Sequence, residues 1–553
     1  MLRHGRIVPP IPGGLALLLV GPAAFAQIHV DDDATGASDG TSWQDAFTDL
    51  QAALAVARGG DEIWLAEGLY LPSTTGDRAE SFELGDNVRI YGGFLGVETS
   101  LDDRLGSVHE TILSGDLLGD DGPGFTNRAD NSLHVVTLSW FDTGGLDRVT
   151  VRGGHADLPG EDLGGGVYSP AGPFDLAVDC VFTDNYAAQG GGVWTSGITS
   201  VHGCTFLANR AEARGGGLYV VSIQSATPSV ERCRFLGNEV VGPTGEGGGL
   251  WGGWGDVVFC EFSGNAAALG GGLNWSGYAM GLTIAGNTAY RATGGAVLSA
   301  TTLRRSILWD NTDPGGATEG AQVSAGVGEV NESCIQGWTG VLGGARNLSA
   351  DPRFVDPAGA DGIVGTLDDD LALRRGSPCI DRGEVPYLLP PLDLRGQPRL
   401  VDALDCGDGG VIDMGAIERQ ALDGTTNYCA ATPSSLGVPA TISAPCVQSV
   451  FLDPVLDLEA GPVPGGGGLF LVGPEPARLP LGNGYLCVWP PKRLVPARAV
   501  GGVMSVGLDL TAPPGSEVLV PGSTWFVQAV YRDVAGGGAG FNTSDAASLE
   551  IRD

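Results

Sequence analysis

Lysine is nearly absent from this chain. Lys492 is the single one, and the 30 basic side chains face 65 acidic ones for a formal net charge of −35. A polymer of that sign repels phosphate, which excludes nucleic acid and anionic membrane surfaces as partners. Histidine is scarce too: His4, His29, His109, His134, His155 and His202 are the only six, and no two sit at metal-ligand spacing. Beyond the first residues no apolar run reaches the roughly eighteen positions that a spanning helix needs, so no transmembrane segment is expected. Apolar runs of period 3.6 are missing as well, apart from one near the start. A helical solenoid is therefore excluded.

Glycine and alternation fill the space. The chain holds 92 Gly and is 42% hydrophobic, too apolar for disorder and too rich in glycine for an ordinary globular domain. One pattern, Cys-x-Phe-x-x-Asn or a near variant, recurs six times, ending at Asn185, Asn209, Asn238, Asn265, Asn287 and Asn311. A period in the twenties marks one supersecondary unit per repeat, each burying its apolar face on its neighbours. Within each copy the first and third residues share one face of a strand of period two. Between copies lie glycine runs such as Gly190 to Gly192 and Gly215 to Gly217, which suit corners of positive φ. The pattern predicts an all-β chain: a right-handed parallel β-helix with rungs about 4.8 Å apart.

In that register equivalent residues form ladders. Phe182, Phe206, Phe235 and Phe262 are expected in one interior stack. Cys180, Cys204, Cys233 and Cys260 become Leu282 and Ser306 in later copies, so the position wants a small inward side chain, and free thiols satisfy it. Asn185, Asn209, Asn238 and Asn265 are expected at turns, where their amides bond local backbone or one another up the axis. Cys334, Cys379, Cys406, Cys429, Cys446 and Cys487 are left as candidates for disulfides, with the connectivity open.

The Phe-x-x-Asn repeats, with Gly294-Gly295-Ala296, resemble the repeats of polymorphic outer-membrane proteins. A second resemblance frames them. Asp39-Gly-Thr-Ser-Trp43, Gly60-Asp-Glu-Ile63, Ile90-Tyr-Gly-Gly-Phe94 and Ile112-Leu-Ser-Gly-Asp116 resemble the opening of secreted right-handed β-helix proteins that carry a surface-anchoring segment. Asp351-Pro-Arg-Phe-Val-Asp356, Ser377-Pro-Cys-Ile-Asp381, Asp393-Leu-Arg-Gly396 and Asp413-Met-Gly-Ala416 resemble the choice-of-anchor Q segment of the same proteins. The resemblance implies an exported or surface-exposed β-helix and reports no activity.

The domains follow. Residues 1–26 read as a signal peptide, with Arg3 and Arg6, the apolar core from Leu15 to Val20 and the small-residue site Ala24-Phe-Ala26. Residues 27–420 are expected to be the β-helix, with repeats clearest over 164–311 and the anchor-Q-like segment over 350–419. Ser42 is expected to cap a helix bearing Trp43, Phe47, Leu50 and Leu54 on one face, closing the open first rung. Residues 421–553 lose the glycine corners and read as a small C-terminal β-sandwich.

Three readings of chemistry come from the residues. Right-handed β-helices serve as scaffolds for polysaccharide lyases and hydrolases, so a pectate-lyase-like enzyme acting on acidic polysaccharide is the alternative function. Its candidates, Asp147, Arg148, Arg152 and Asp179, form no compact constellation in the sequence, and no catalytic residue is assigned. Asp361, Asp368, Asp369 and Asp370 surround a glycine-rich turn of oxygen donors, and calcium is the one cofactor the sequence suggests. Finally, each glycine run precedes an apolar residue and then a larger one, giving Tyr168, Trp194, Tyr219 and Trp251, with Trp254 and Trp275 nearby. If the first of each pair faces inward, these aromatics line an outer strip able to meet an extracellular glycan or a surface protein. The expected function is a secreted or outer-membrane-associated surface protein that binds and does not catalyse.

Overall fold

The computed structural model describes residues 26–104, 110–139, 143–170, 176–197, 200–221, 227–291, 294–374, 377–383, 390–399, 412–420, 431–443, 455–509, 524–536 and 538–550. The signal peptide expected at the start lies outside the described residues apart from its last one. Cys406, Cys429 and Cys446 lie outside them too.

Each coil sets short strands on four faces. Val167–Ser169, Leu176–Val178, Val181–Thr183 and Tyr186–Gln189 make one coil. Val193–Ser196, Ser200–His202, Thr205–Leu207 and Arg210–Arg214 make the next. Equivalent strands pair in parallel, with Phe182 opposite Phe206, Phe206 opposite Phe235 and Phe235 opposite Phe262. The third face stacks ten strands, a length of about 43 Å at the usual strand spacing. Faces one and two merge into a single sheet of 18 strands because Val297–Arg304 runs across both. This is a parallel β-helix.

Three of the corners of each coil use a left-handed residue in the repeats. Before the cysteine position stand Asp179, Gly203, Arg232 and Phe259, with φ between 51 and 66°. Before the asparagine stand Asp184, Ala208, Gly237 and Gly264, with φ between 52 and 65°. The asparagines themselves are not among the left-handed residues; the residue ahead of each one makes the bend. At the third corner the first glycine of each triplet has positive φ, as Gly190 does at 66°. Its two followers are needed for a different reason. A Cβ on Gly191 would stand 2.3 Å from the Arg210 carbonyl oxygen, and one on Gly192 would stand 2.5 Å from that of Gly217. Only glycine lets the rungs approach there.

The interior ladders hold the stack. Rings of Phe182, Phe206, Phe235 and Phe262 lie 4.7 to 5.0 Å apart and within 17° of parallel, all fully buried. Each such ring contributes about 1.5–3 kcal/mol by leaving water. The column continues with Ile284 and Leu308. Cys180, Cys204, Cys233 and Cys260 are buried free thiols, and the Cys204 Sγ donates to the Ala177 carbonyl at 3.3 Å. Asn209 shows the amide pattern. Its Nδ2 donates to Phe182 O at 2.8 Å and to Asn238 Oδ1 at 3.0 Å, while its Oδ1 accepts from the backbone N and Nδ2 of Asn185. The same bonds recur at Asn238, Asn265 and Asn287. The row ends on Gln322, whose Oε1 accepts from Asn311 Nδ2 at 2.7 Å.

Both ends of the coil are covered. The helix Leu50–Val56 packs Leu50 and Ala53 onto the first rungs. Its cap is Asp49, which accepts from Gln51 N, and not Ser42. Ser42 instead accepts from the Asp45 amide in a turn ahead of the helix, Trp43 packs on His29 and Phe94, and Phe47 bridges Val30. The strand Gln27–Val30, which no repeat announced, is the first rung. Trp338 and Leu342 lie over the other end of the core.

Parallel stacking runs to Cys334–Ile335. The described residues of 350–419 then fold back along the flank of the coils, with Phe354–Asp356 antiparallel to Asp370–Leu373. Val364 and Gly365 sit against the corners of Gly264 and Gly286, where a Cβ on Gly264 would come within 2.4 Å of the Val364 oxygen. Backbone amides of Gly415 and Ala416 reach Arg305 O and Thr283 Oγ1. The C-terminal domain is antiparallel throughout its described strands: a seven-stranded sheet and the hairpin of Glu475–Leu481 with Gly484–Trp489. Along the strand Gly466–Gly473, Phe470 and Val472 join one core while Leu469 and Leu471 face the other, under the hairpin. Among the described residues no helix is long and apolar enough to cross a membrane.

Candidate functional site

The first face carries the expected aromatic row on its outer side. In register from rung to rung stand Glu83, Thr137, Tyr168, Trp194, Tyr219, Trp251, Asn274 and Ser299. Their inward neighbours Val167, Val193, Leu218 and Leu250 are buried, so strand alternation sends the rings outward. Trp194 and Tyr219 lie 6.1 Å apart at 8°, and Tyr219 and Trp251 4.7 Å apart at 6°. The rings therefore use their faces on one another and turn their edges to solvent. Tyr219, between two indoles, is only 7% exposed, whereas the other three are half-buried. Trp275 is not part of the strip: it is fully buried over Gly252, which has no Cβ to exclude it. Trp254 is 75% exposed at the next corner.

Polar groups frame the row. Glu246 Oε2 accepts from Trp251 Nε1 at 2.8 Å and from Asn274 Nδ2 at 3.2 Å, with Arg214 Nε 3.5 Å away. The Arg214 guanidinium lies 4.8 Å over the Trp251 ring. At the other end His134 stacks on Tyr168 at 5.1 Å and meets Glu161 at 3.3 Å. Burial holds the Tyr168 and Tyr219 hydroxyls above the usual phenol range, so both stay protonated. An open cleft of about 490 Å³ lies where the row begins, lined by Asp49, Gln51, Pro72, Glu80, Ser81 and Glu83. Glu246 and Arg214 escaped the sequence reading, though they directly precede glycine triplets and so could have been placed beside the strip.

Of the residues weighed for lyase chemistry, Arg148 and Asp179 form corners of positive φ, while Asp147 and the exposed Arg152 end short strands. Asp147 pairs with Arg104 at 2.7 Å, and Arg148 faces Asp179 at 3.9 Å. The Asp179 carboxyl is raised by burial, against the pull of Arg148.

The acidic loop is not a convergent set. Asp368 accepts from the Ala360 and Asp361 amides and from Thr366, while Asp361 accepts from the Ile363 amide. Asp369 binds Gly365 N and Ser263 Oγ, fastening the loop to the coil, and Asp370 pairs with Arg395. Those donors pull the four carboxylates apart. Among the described residues, the acidic groups whose oxygens all approach within 4.8 Å are Asp116 with Asp120 and Asp130, and Asp381 with Asp413 and Glu418.

The second of these is buried. Asp413 Oδ1 accepts from Asp381 N and its Oδ2 from Arg419 N, while Glu418 Oε2 accepts from Asp413 N and lies 3.6 Å from Arg399 Nε. Arg399 is fully buried, with its guanidinium 4.2 Å over Phe259 and donating to the carbonyls of Gly415 and Ala416. Burial first, and then the mutual repulsion of their charges, pushes Glu418 upward; burial does the same to Asp413. Asp381 and Asp413 belong to motifs visible in the sequence, but nothing there showed that Glu418 would join them.

The fold and surface define the class: a parallel β-helix protein with an appended antiparallel β domain. The crystal structure of pectate lyase Pel9A overlays with a TM-score of 0.40 at 13% identity, over 72% of this chain and 98% of that one. An overlay so loose says nothing about chemistry. No protein-family model and no curated protein matches the chain.

Proposed function

We propose that this is an exported, surface-associated β-helix that binds an uncharged extracellular glycan along its first face, without catalysing its breakdown. The single observation that carries the reading is the unbroken outer row from Tyr168 to Trp251, flanked by Glu246, Asn274 and Ser299. Eight in-register positions extend over about 34 Å at strand spacing, suited to a linear polymer lying along the axis. Ring edges offer apolar contact, and the tyrosine hydroxyls, Glu246 and Asn274 offer hydrogen bonds to sugar hydroxyls. A net charge of −35 opposes polyanions and favours a neutral chain. Resemblance to choice-of-anchor Q proteins and to polymorphic outer-membrane repeats, with the apparent signal peptide, supports export and a surface location.

The test is binding of the purified protein to arrayed neutral and acidic polysaccharides. Trp194→Ala with Trp251→Ala is expected to weaken binding to the neutral glycan by about tenfold or more with the circular dichroism unchanged. Cleavage of acidic polysaccharide that one Arg or Asp substitution abolishes would replace this reading with the lyase alternative. Unchanged binding by the double variant would remove the strip as the site, and capture of a surface protein alone would change the partner.

A further inference from the structure

The buried cluster on the folded-back segment is unbalanced. Asp393, Asp413 and Glu418 gather around the fully buried Arg399, with Asp381 beside Asp413, and both oxygens of Asp393 are already engaged by the amides of Arg395, Gln397 and Glu418. Both oxygens of Asp413 accept backbone amides as well. Glu418 differs. Its side chain is fully buried, Oε2 is held by the Asp413 amide, and Oε1 has no hydrogen-bond partner at all. A buried carboxylate oxygen with nothing to accept is costly, and a protein supplies either a proton or a cation to such a place.

We propose that Asp381, Asp413 and Glu418 hold a hard divalent cation, calcium by their all-oxygen chemistry, and that this ion locks the folded-back segment onto the coils. One oxygen from each of the three lies within 4.8 Å of the others. Oxygens on a sphere of about 2.4 Å radius, the calcium–oxygen distance, are never more than about 4.8 Å apart, so the spacing suits one ion touching all three. Glu418 Oε1, buried and with no hydrogen bond to accept, is available to such an ion. The three ligands come from two turns: Asp381 follows Ser377, while Asp413 and Glu418 bracket the amides of Gly415 and Ala416 that bond Arg305 and Thr283 of the coil. An ion between them clips the first turn to the second, and the second is already on the coil. Asp116, Asp120 and Asp130 and the four carboxylates of the Asp361 loop lack this feature, since none of them has a buried oxygen without a partner and those of Asp116 and Asp361 cap loop amides.

The experiment uses the full chain, stripped with a chelator and then titrated with calcium chloride. Elemental analysis is expected to find about one calcium per chain, and binding to the folded state raises the melting temperature. Glu418→Gln is expected to lose both effects, while Asp120→Asn and Asp361→Asn keep them. Should Glu418→Gln fail to fold, Asp381→Asn serves, because Asp381 is only partly buried. The proposal is overturned if the wild-type chain takes up no calcium, magnesium or manganese and its melting temperature does not move. It is equally overturned if folded Glu418→Gln or Asp381→Asn binds as the wild type does, or if the exposed loops account for the binding.

Discussion

Single residues in the ladders answer for more than their own contacts. Replacing Asn238 by alanine leaves the Asn209 amide without its acceptor and Phe206 O without its donor, both buried. The expected loss is about 1–3 kcal/mol per orphaned group, read as a lower melting temperature. Phe235→Ala opens a cavity between two stacked rings and is expected to cost about 3–5 kcal/mol. Buried histidines give the fold an acid limit. Burial lowers the pKa of His29 and His155 below 6.5, so the unfolded chain takes up protons that the folded one refuses. Stability is then present above that value and is lost as pH falls through it toward the lowered values. The melting temperature is expected to drop across this window, and less so in His155→Phe. At this scale the sequence was eloquent about what repeats and silent about what bends. Phe, Cys and Asn recur by name, whereas the left-handed residue ahead of each is Asp in one coil, Ala in the next and Gly in a third, because the corner selects conformation and not chemistry.

At the level of elements, one glycine difference decides where the tail of the β-helix lies. Gly237, Gly264 and Gly286 occupy the corner that Asp184, Ala208 and Asp310 fill in other coils, and the loop with Val364 and Gly365 rests in the space they leave. Gly264→Ala is expected to free that loop to limited proteolysis while the coils keep their melting transition within a few degrees. Such a contact joins residues about a hundred positions apart, so no local pattern could have announced it. The same reason hid the set of Asp381, Asp413 and Glu418, and the expectation of calcium consequently settled on four acidic neighbours in sequence whose side chains serve separate amides. The aromatic strip was legible because strand alternation and register alone fix it. How its rings are oriented was not, since ring stacking depends on side-chain torsions that spacing does not report.

For the whole molecule, the asparagine row has a sense. Between neighbouring side chains the bonds all run one way: from Asn185 to Asn311 each Nδ2 donates to the amide oxygen of the next residue in the row, while it also donates to a backbone carbonyl of the earlier coil. A stack built this way has unlike ends, one bearing unmet donors and the other unmet acceptors, as a growing polymer has. Two bare copies could join only head to tail, and that geometry does not close on itself but runs on as a filament. Seen so, Gln322 and the helix Leu50–Val56 are chain terminators. Removing the helix together with Trp338→Ala and Leu342→Ala, which bares both ends, is expected to turn a discrete particle into fibres whose length rises with protein concentration, visible by electron microscopy, while removing either cover alone leaves discrete particles.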